Sequence, residues 1–331
     1  MYSQLVPMTL QLSGVIVIKL SKSWQMVALM TSRDNSQPHK VIAIVVTFNP
    51  VTTNLSSLVS QLETQSYRTI IVDNGSENIE DISRLQASCS NVELLSLSDN
   101  IGIAAAQNKG IRHALTLGGD FTLFFDQDSS IAEDFVSKMV EDFVSLKQSY
   151  NIAALGPTLQ DSRYKKIYPV IRMSRHGLRT KIIPDITSSK PVEVSCIIAS
   201  GCLVDNKVLL LDNLMDDSLF IDYVDTEWCL RVISHGFKIF ITPNVIMQHE
   251  IGDAHIEMLG FVIPVHSAWR RYYRVRNGVF MLKMPHIPKL LAIREIVFSF
   301  VHQMILLFKS KNIEYLKVYF RAMSDAVRKL L

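Results

Sequence analysis

Phe121-Thr122-Leu123-Phe124-Phe125-Asp126-Gln127-Asp128-Ser129 decides the fold. The apolar run Phe121 to Phe125 reads as a short buried strand, and two carboxylates follow at i and i+2. On an extended backbone that spacing points both side chains to one side, where they can share one hard cation. A divalent ion held by one or two carboxylates leaves the rest of its shell to phosphate oxygens and water, the usual arrangement around a diphosphate. A second reading stays open: Ser130-Ile131-Ala132-Glu133 matches a capping box, which would make Asp128 a residue favouring the positive end of a helix.

Upstream, the pattern alternates. Val41 to Val46 is an unbroken β-branched run, read as a strand buried on both faces, and it ends at Thr47-Phe48-Asn49-Pro50. Leu55, Leu58, Val59 and Leu62 follow at helical spacing. Thr69 to Val72 is a second strand ending in Asp73-Asn74-Gly75-Ser76. A helix over 78–87, a strand from Val92 to Leu97, the turn Asp99-Asn100-Ile101-Gly102 and a helix from Ile103 to Leu117 complete the approach to the central strand. Strand and helix in alternation mean right-handed βαβ units and a mainly parallel sheet. Ligands in such sheets sit beyond the carboxyl ends of the strands. Thr47, Asp73, Asp99 and the Asp126/Asp128 pair all fall there, which predicts a site; Asp99 is read as structural.

Downstream of a helix over 132–147, residues 151–192 carry Gly156-Pro157, Tyr164, Tyr168, Pro169 and several cations, and read as a long, partly mobile connection. Val194 to Val204 is strand-like, with Ser200-Gly201 marking a close backbone approach. The second dense stretch is Leu219-Phe220-Ile221-Asp222-Tyr223-Val224-Asp225-Thr226-Glu227-Trp228-Cys229-Leu230-Arg231. It leads through acids into a helix that ends at His235-Gly236. Lys238 to Thr242 is a further strand, and His249 follows another apolar run.

Length and composition frame this reading. At 331 residues, with 48% apolar and 20% charged side chains, the chain has room for one large α/β domain with an appendage, or for two smaller domains. The net charge of +3 is too small to suggest nucleic acid. Cysteines 89, 196, 202 and 229 show no zinc spacing and read as reduced thiols of a cytosolic protein. Residues 1–38 read as an extension outside the domain, disordered or a start-site artefact with translation opening at Met30.

These pieces, in this order, resemble inverting family 2-type glycosyltransferases of the GT-A fold. The resemblance covers about 41–280 through Thr47-Phe48-Asn49, Val72 to Ser76, Asn100-Ile101-Gly102, Asp126-Gln127-Asp128, Tyr223 to Glu227 and the late His249. The forms Phe-Phe-Asp-Gln-Asp-Ser and Phe-Ile-Asp-Tyr-Val-Asp-Thr-Glu-Trp-Cys-Leu-Arg are most similar to bacterial rhamnosyltransferases that use dTDP-L-rhamnose. The resemblance implies a GT-A domain over 39–280, with a nucleotide-binding half over 39–150 and an acceptor half over 151–280. It also implies roles. Asp73 reads the pyrimidine base, and Thr47 lines that pocket. Asn49, Gly102, Asp126 and Gln127 complete the donor site. Asp126, Asp128 and His249 hold Mg²⁺ or Mn²⁺. Asp225 is the general base, with Asp222 and Glu227 as rivals. The family often places Glu-Asp where this chain has Val224-Asp225.

An ordinary aspartate with a pKa of about 3.9 is ionised at neutral pH and available as a base. Each role has a structural alternative: turn chemistry for Asp73, helix-dipole charges for Asp225 and Glu227, and a packed histidine for His249. The implied partners are a nucleotide-sugar donor and a saccharide or polyprenyl-diphosphate-linked acceptor of surface polysaccharide such as O-antigen or capsule. Other readings are a UDP-galactofuranose or UDP-N-acetylhexosamine donor, or a Mg²⁺-dependent phosphatase.

The stretch His266 to Asn277 mixes aromatics and arginines, so Trp269 and Arg274 are acceptor or diphosphate candidates, against a basic helix packed through its rings. Residues 281–331 read as an amphipathic helical tail. Its apolar run Ile296 to Phe308 is too short to span a bilayer and is read as an interfacial segment beside anionic lipid, or as a helical cap on the domain. The expected location is cytoplasmic, peripheral to the inner face of the membrane.

Overall fold

The computed structural model describes residues 11–12, 15–16, 38–249, 255–258, 261–264, 267–310 and 313–330. Gln11–Leu12 pairs antiparallel with Val15–Ile16 in a first unit, Met1–Pro38. The expectations for the start site and for disorder of that extension lie otherwise outside the described residues. Everything from His39 onward forms one unit.

That unit opens with β1 (Val41–Thr47), α1 (Thr52–Glu63), β2 (Arg68–Asp73), α2 (Ile79–Ala87), β3 (Val92–Ser96), α3 (Ile103–Thr116), β4 (Phe121–Asp126) and α4 (Phe135–Lys147). β1 pairs parallel with both β2 and β4, and β2 pairs parallel with β3. Each strand points alternate residues to opposite faces. Ile42, Ile44 and Val46 of β1 pack with Ala104, Ala106 and Ile111 of α3. Val41, Ala43 and Val45 pack on the other side with Leu55, Leu58 and Phe135. A β-branched run with no polar break therefore becomes a strand sandwiched between two helical layers.

The second half departs from expectation. Residues 152–161 are not a mobile connection but β5 (Ile152–Asp161), buried through Thr158. Gly156-Pro157 reads as a break in sequence, yet Pro157 sits within the strand opposite Thr242 of β10 (Lys238–His249), where the register shifts between Thr242 and Ile246. A proline removes one ladder donor, and an irregular partner tolerates the loss. The two apolar runs before His249 are thus one 12-residue strand.

Residues 162–191 carry a separate hairpin, β6 (Val170–Met173) and β7 (Arg179–Ile182). The Val194–Val204 stretch splits into β8 (Val192–Val194) and β9 (Cys202–Asp205), joined by a loop that reaches the strand ends. The main sheet has the order β8-β10-β5-β9-β4-β1-β2-β3. In it β9 runs antiparallel to both neighbours, between β4 and β5. The chain continues through α5 (Asn206–Leu210) and α6 (Val224–Ser234) before β10, and β11 (His255–Met258) pairs with β12 (Phe261–Pro264) after it. Three helices close the chain: α7 (Ala268–Phe280), α8 (Lys289–Ser310) and α9 (Ile313–Leu330). No disulfide forms among the described cysteines; Cys202 and Cys229 are buried.

Gly102 shows why the strand-end loops need their own residue types. It has φ 88°, and a Cβ there would lie 2.6 Å from the Phe220 ring and 2.7 Å from its carbonyl oxygen. Gly118 also has positive φ, at 68°, but faces open space. Gly102→Ala is expected to cost about 1–3 kcal/mol of stability, more than Gly118→Ala, because it adds a clash to backbone strain. Paired thermal melts check this; equal losses would mean that Phe220 moves aside freely.

Candidate functional site

The site begins at the end of β4. Asp126 is half-buried and Asp128 exposed. The Ser129 N–H donates to the Asp126 carbonyl at 3.1 Å, and the Asp126 N–H donates to Ser200 Oγ at 3.4 Å. Gln127 clasps the neighbouring loop: its Oε1 accepts from the Phe48 N–H at 2.8 Å. The capping box is not formed. The helix starts only at Phe135, with Asp134 at its cap and no side-chain cap bond. Asp128 is therefore seven positions from the helix, and the cation reading loses that rival.

Thr47 and Asp73, the expected base-pocket residues, are fully buried at the ends of β1 and β2. The Asp73 carboxylate accepts from Thr47 Oγ1 at 3.0 Å, the Ser76 N–H at 3.0 Å and Ser76 Oγ at 2.5 Å. Asn49, at φ 48°, donates its N–H to Ser76 Oγ and accepts from the Glu77 N–H, both at 2.8 Å. Asn100 Oδ1 accepts from Asn74 Nδ2 and from the Gly102 N–H, each at 3.0 Å. Turn chemistry and site construction coincide here: the carboxylate at the end of β2 organises the loops in which the candidate donor residues sit.

Asp225 lies in the first turn of α6 and accepts from the Ala199 N–H in the loop before β9. Burial, repulsion from Asp126 and then repulsion from Asp222 push its carboxyl up to about 7 against that hydrogen bond. It is not the ordinary aspartate expected from sequence alone. Burial and repulsion from Asp128 likewise raise Asp126, opposed by His249 and Arg270. These influences link Asp126 with Asp128, His249 and Arg270, and Asp225 with Asp126 and Asp222.

The rivals of Asp225 are already engaged. Glu227 is 2% exposed, 2.7 Å from Arg231 and 2.9 Å from His286. Burial would raise its carboxyl, but those two contacts outweigh it and hold Glu227 below the usual range. Asp222 lies 3.2 Å from Arg270 and 3.8 Å from Arg274.

The loop before α6 is strained: Phe220, Asp222 and Tyr223 have φ of 66°, 63° and 63°. Helix α7 holds it there. Asn277, completely buried, directs Nδ2 at the carbonyls of Leu219 and Ile221, both at 2.8 Å, and of Asp222 at 3.1 Å. Phe220 stacks on Tyr273 with centroids 4.5 Å apart. Trp269 stands edge-on to Phe220 at 5.8 Å, and the Arg274 guanidinium lies over the Tyr223 ring at 5.4 Å. The basic, aromatic helix is thus both packed and adjacent to the site.

A cleft of about 240 Å³ opens beside Asp225. Pro157, Tyr168, Ile171, Ile197 and Ile241 give it a mainly apolar wall, with Asp225 and Thr226 at its polar end. Among the described residues, no three His, Cys, Asp or Glu side chains form a ready-made metal cage. The donor set still fits a divalent ion. Asp126 and Asp128 offer carboxylate oxygens whose mutual repulsion a cation would relieve, and His249, at the end of β10, acts electrostatically on Asp126. Such a site leaves coordination positions for diphosphate oxygens.

Two features escaped the sequence reading. The Ala199 N–H has no side-chain signature. Asn277 does have one, a short amide in a helix whose propensity disfavours it, seven positions after Arg270.

Known proteins share the fold and the family. Residues 42–199 match the family described as glycosyl transferase family 2. Among solved structures, the fold is similar to GalNAc-T7 with UDP, GalNAc and Mn²⁺ (TM-score 0.54, 12% identity), with 83% of this chain covering 58% of that one. It is also similar to S. aureus TarS (TM-score 0.50, 15% identity), with 87% of this chain covering 49% of that one. The chain spans about half the length of those two structures, and at such identities the likeness shows the fold alone. In sequence it is 40% identical over 295 residues to the dTDP-rhamnosyl transferase RfbF of Shigella flexneri, covering 87% of this chain and 95% of the relative. The strand-end carboxylates, the sheet and this identity lead to one assignment: the chain belongs to glycosyl transferase family 2, and it is a glycosyltransferase.

Proposed function

We propose that the protein transfers L-rhamnose from dTDP-L-rhamnose, with inversion, to a hydroxyl of a saccharide or polyprenyl-diphosphate-linked acceptor in surface polysaccharide synthesis. The observation that carries the chemistry is Asp225, held by the Ala199 N–H at the polar end of the cleft and beside Asp126. The donor assignment is supported by the identity to the rhamnosyl transferase.

In this reading Asp225 takes the proton of the acceptor hydroxyl as its oxygen bonds to the anomeric carbon. The bond from that carbon to the diphosphate oxygen breaks, and dTDP leaves. No covalent enzyme intermediate is needed. A raised pKa makes Asp225 a stronger base than a solvated aspartate while keeping it largely ionised above neutrality. Asp126, Asp128 and His249 would hold Mg²⁺ or Mn²⁺, which supplies charge stabilisation to the leaving diphosphate. Asp73, Thr47, Asn49, Gln127 and Gly102 shape the nucleotide side. Arg274 and Trp269 face the acceptor or diphosphate from α7. A polyprenyl-linked acceptor places this work at the cytoplasmic face of the membrane.

The test is thermal stabilisation by dTDP, UDP, GDP and CDP, each with and without Mn²⁺. A ligand at a hundred times its dissociation constant stabilises by about 2.7 kcal/mol. The expected result is the largest shift with dTDP and Mn²⁺, with the Mn²⁺-dependent part lost in Asp128→Ala. Preference for UDP would transfer the reading to a UDP-sugar donor, and silence with every nucleotide would overturn it.

A further inference from the structure

Helix α8 is 22 residues long, starting well before the apolar run that marks it in sequence. Its stretch Lys289–Phe308 is long and apolar enough to cross a membrane by length and composition, with 28% of its most apolar window buried. Crossing is not what its packing favours. Leu291, Ala292, Gln303 and Leu306 face inward, and Arg271, 1% exposed, donates to the Ser299 carbonyl at 2.5 Å. The opposite face carries Leu290, Ile293, Val297, Phe298, Val301 and Phe308, exposed by 45–81%. At 1.5 Å per residue this stripe runs roughly 27 Å. An apolar band of that length on a protein surface calls for a partner.

The hairpin β6–β7 adjoins the start of the stripe. Its turn packs on α8: a Cβ on Gly177 would lie 3.0 Å from the Leu291 amide nitrogen. Arg179 reaches Glu295 at 3.0 Å. Leu178 and Ile183 are 64% and 65% exposed. Residues 162–190 hold eight Lys or Arg, all exposed, against one acid, Asp185. Residues 281–331 hold nine Lys or Arg against three acids. The hairpin also leads back to the site, since Tyr168, Pro169, Val170 and Ile171 line the cleft beside Asp225.

We propose that the exposed stripe of α8 and the basic β6–β7 hairpin form one docking face for an anionic lipid bilayer, and that the cleft beside Asp225 takes its acceptor from that bilayer. The choice of acceptor rests on the function proposed above; the docking face stands on exposure and charge. Apolar side chains enter the interface while cations meet anionic headgroups. A second copy fits the face poorly. A two-fold contact brings the same surface to itself, so the hairpin and tail cations would meet like charge.

The experiment is co-sedimentation of the full chain with phosphatidylcholine vesicles, with and without an equal share of phosphatidylglycerol, at low and high salt. Binding is expected on the anionic vesicles and to weaken with salt. It should fall tenfold or more in Val297→Glu/Val301→Glu and in Arg175→Glu/Lys181→Glu. Thermal stabilisation by dTDP should persist in both double variants, which shows that they fold. Variants that bind like the wild type would overturn the proposal, as would a wild type that ignores anionic vesicles while still responding to dTDP. A dimer in sedimentation velocity that Val297→Glu/Val301→Glu dissolves, without lipid binding, would assign the face to a second copy. Loss of the dTDP response alone, with vesicle binding intact, would instead count against the donor reading.

Discussion

Replacing Asp225 with Asn is expected to slow sugar transfer by on the order of 10²–10⁴ while leaving dTDP binding intact and making the protein more stable at pH 8. The first effect is loss of the base: an amide cannot take the acceptor proton, but its oxygen can still accept from the Ala199 N–H. The second follows from linkage. The carboxyl titrates near 7 in the native state, above its ordinary 3.8. A group raised in this way favours the native state fully only below the unfolded value, and that contribution is lost as pH rises through the native one. Above pH 7 the native protein carries a charge that its surroundings resist. The cleft gives the carboxyl some access to water, so a discounted cost of about 1–2 kcal/mol is expected, equivalent to a melting-temperature gain of about 2–6 °C in the variant. Melts of both proteins from pH 4 to 8 should show the gain growing with pH. The wild-type kcat/KM should rise with pH and level off once Asp225 is ionised, since that ratio reports the free enzyme. Undiminished transfer by the variant would move the base to Asp222.

Asn277→Leu is expected to lower transfer more than tenfold and stability by about 2–4 kcal/mol, with dTDP stabilisation retained. The amide makes three contacts to loop carbonyls, and leucine leaves buried acceptors unsatisfied at about 1–3 kcal/mol. Phe220, Asp222 and Tyr223 persist in left-handed conformations, which cost of order 1–3 kcal/mol each, only while their surroundings over-determine them. Without the clamp, the loop that delivers Asp225 relaxes. Single-turnover transfer beside thermal unfolding separates the outcomes. A destabilised variant with normal transfer would confine Asn277 to a packing role.

The first half of the sheet was legible because its signals are local. The run Val41 to Val46 is apolar on every face, the strand ends carry Asp73 and Asp126, and the loops hold Asn and Gly at tight positions. Periodicity and turn chemistry act over a few residues, and there they agree. The other half was obscured where tertiary context overrides local preference. Pro157 sits in a strand because its partner β10 is irregular, and the hairpin at 170–182 belongs to a surface whose cations look like loop composition. The Ser130 capping box fails because the helix begins at Phe135. The environment of Asp225 was invisible for a different reason. Its pKa depends on Asp126, 99 positions earlier, and on the Ala199 amide, neither of which any local pattern announces. Glu227 and Asp225 look alike in sequence, and only the proximity of His286 and Arg231 tells them apart.

The antiparallel β9 has a consequence for synthesis of the chain. It sits between β4 and β5, yet Cys202 leaves the ribosome 76 positions after Asp126. At about 5–20 residues per second, the outer edge of β4 stands unpaired for roughly 4–15 s after its own residues are made. That edge carries Phe121, Leu123, Phe124 and Phe125, a composition prone to pairing with a neighbouring nascent chain. Nascent-chain quality control therefore matters most in this interval, and a fragment ending between 127 and 201 is the least favourable place to cut the protein.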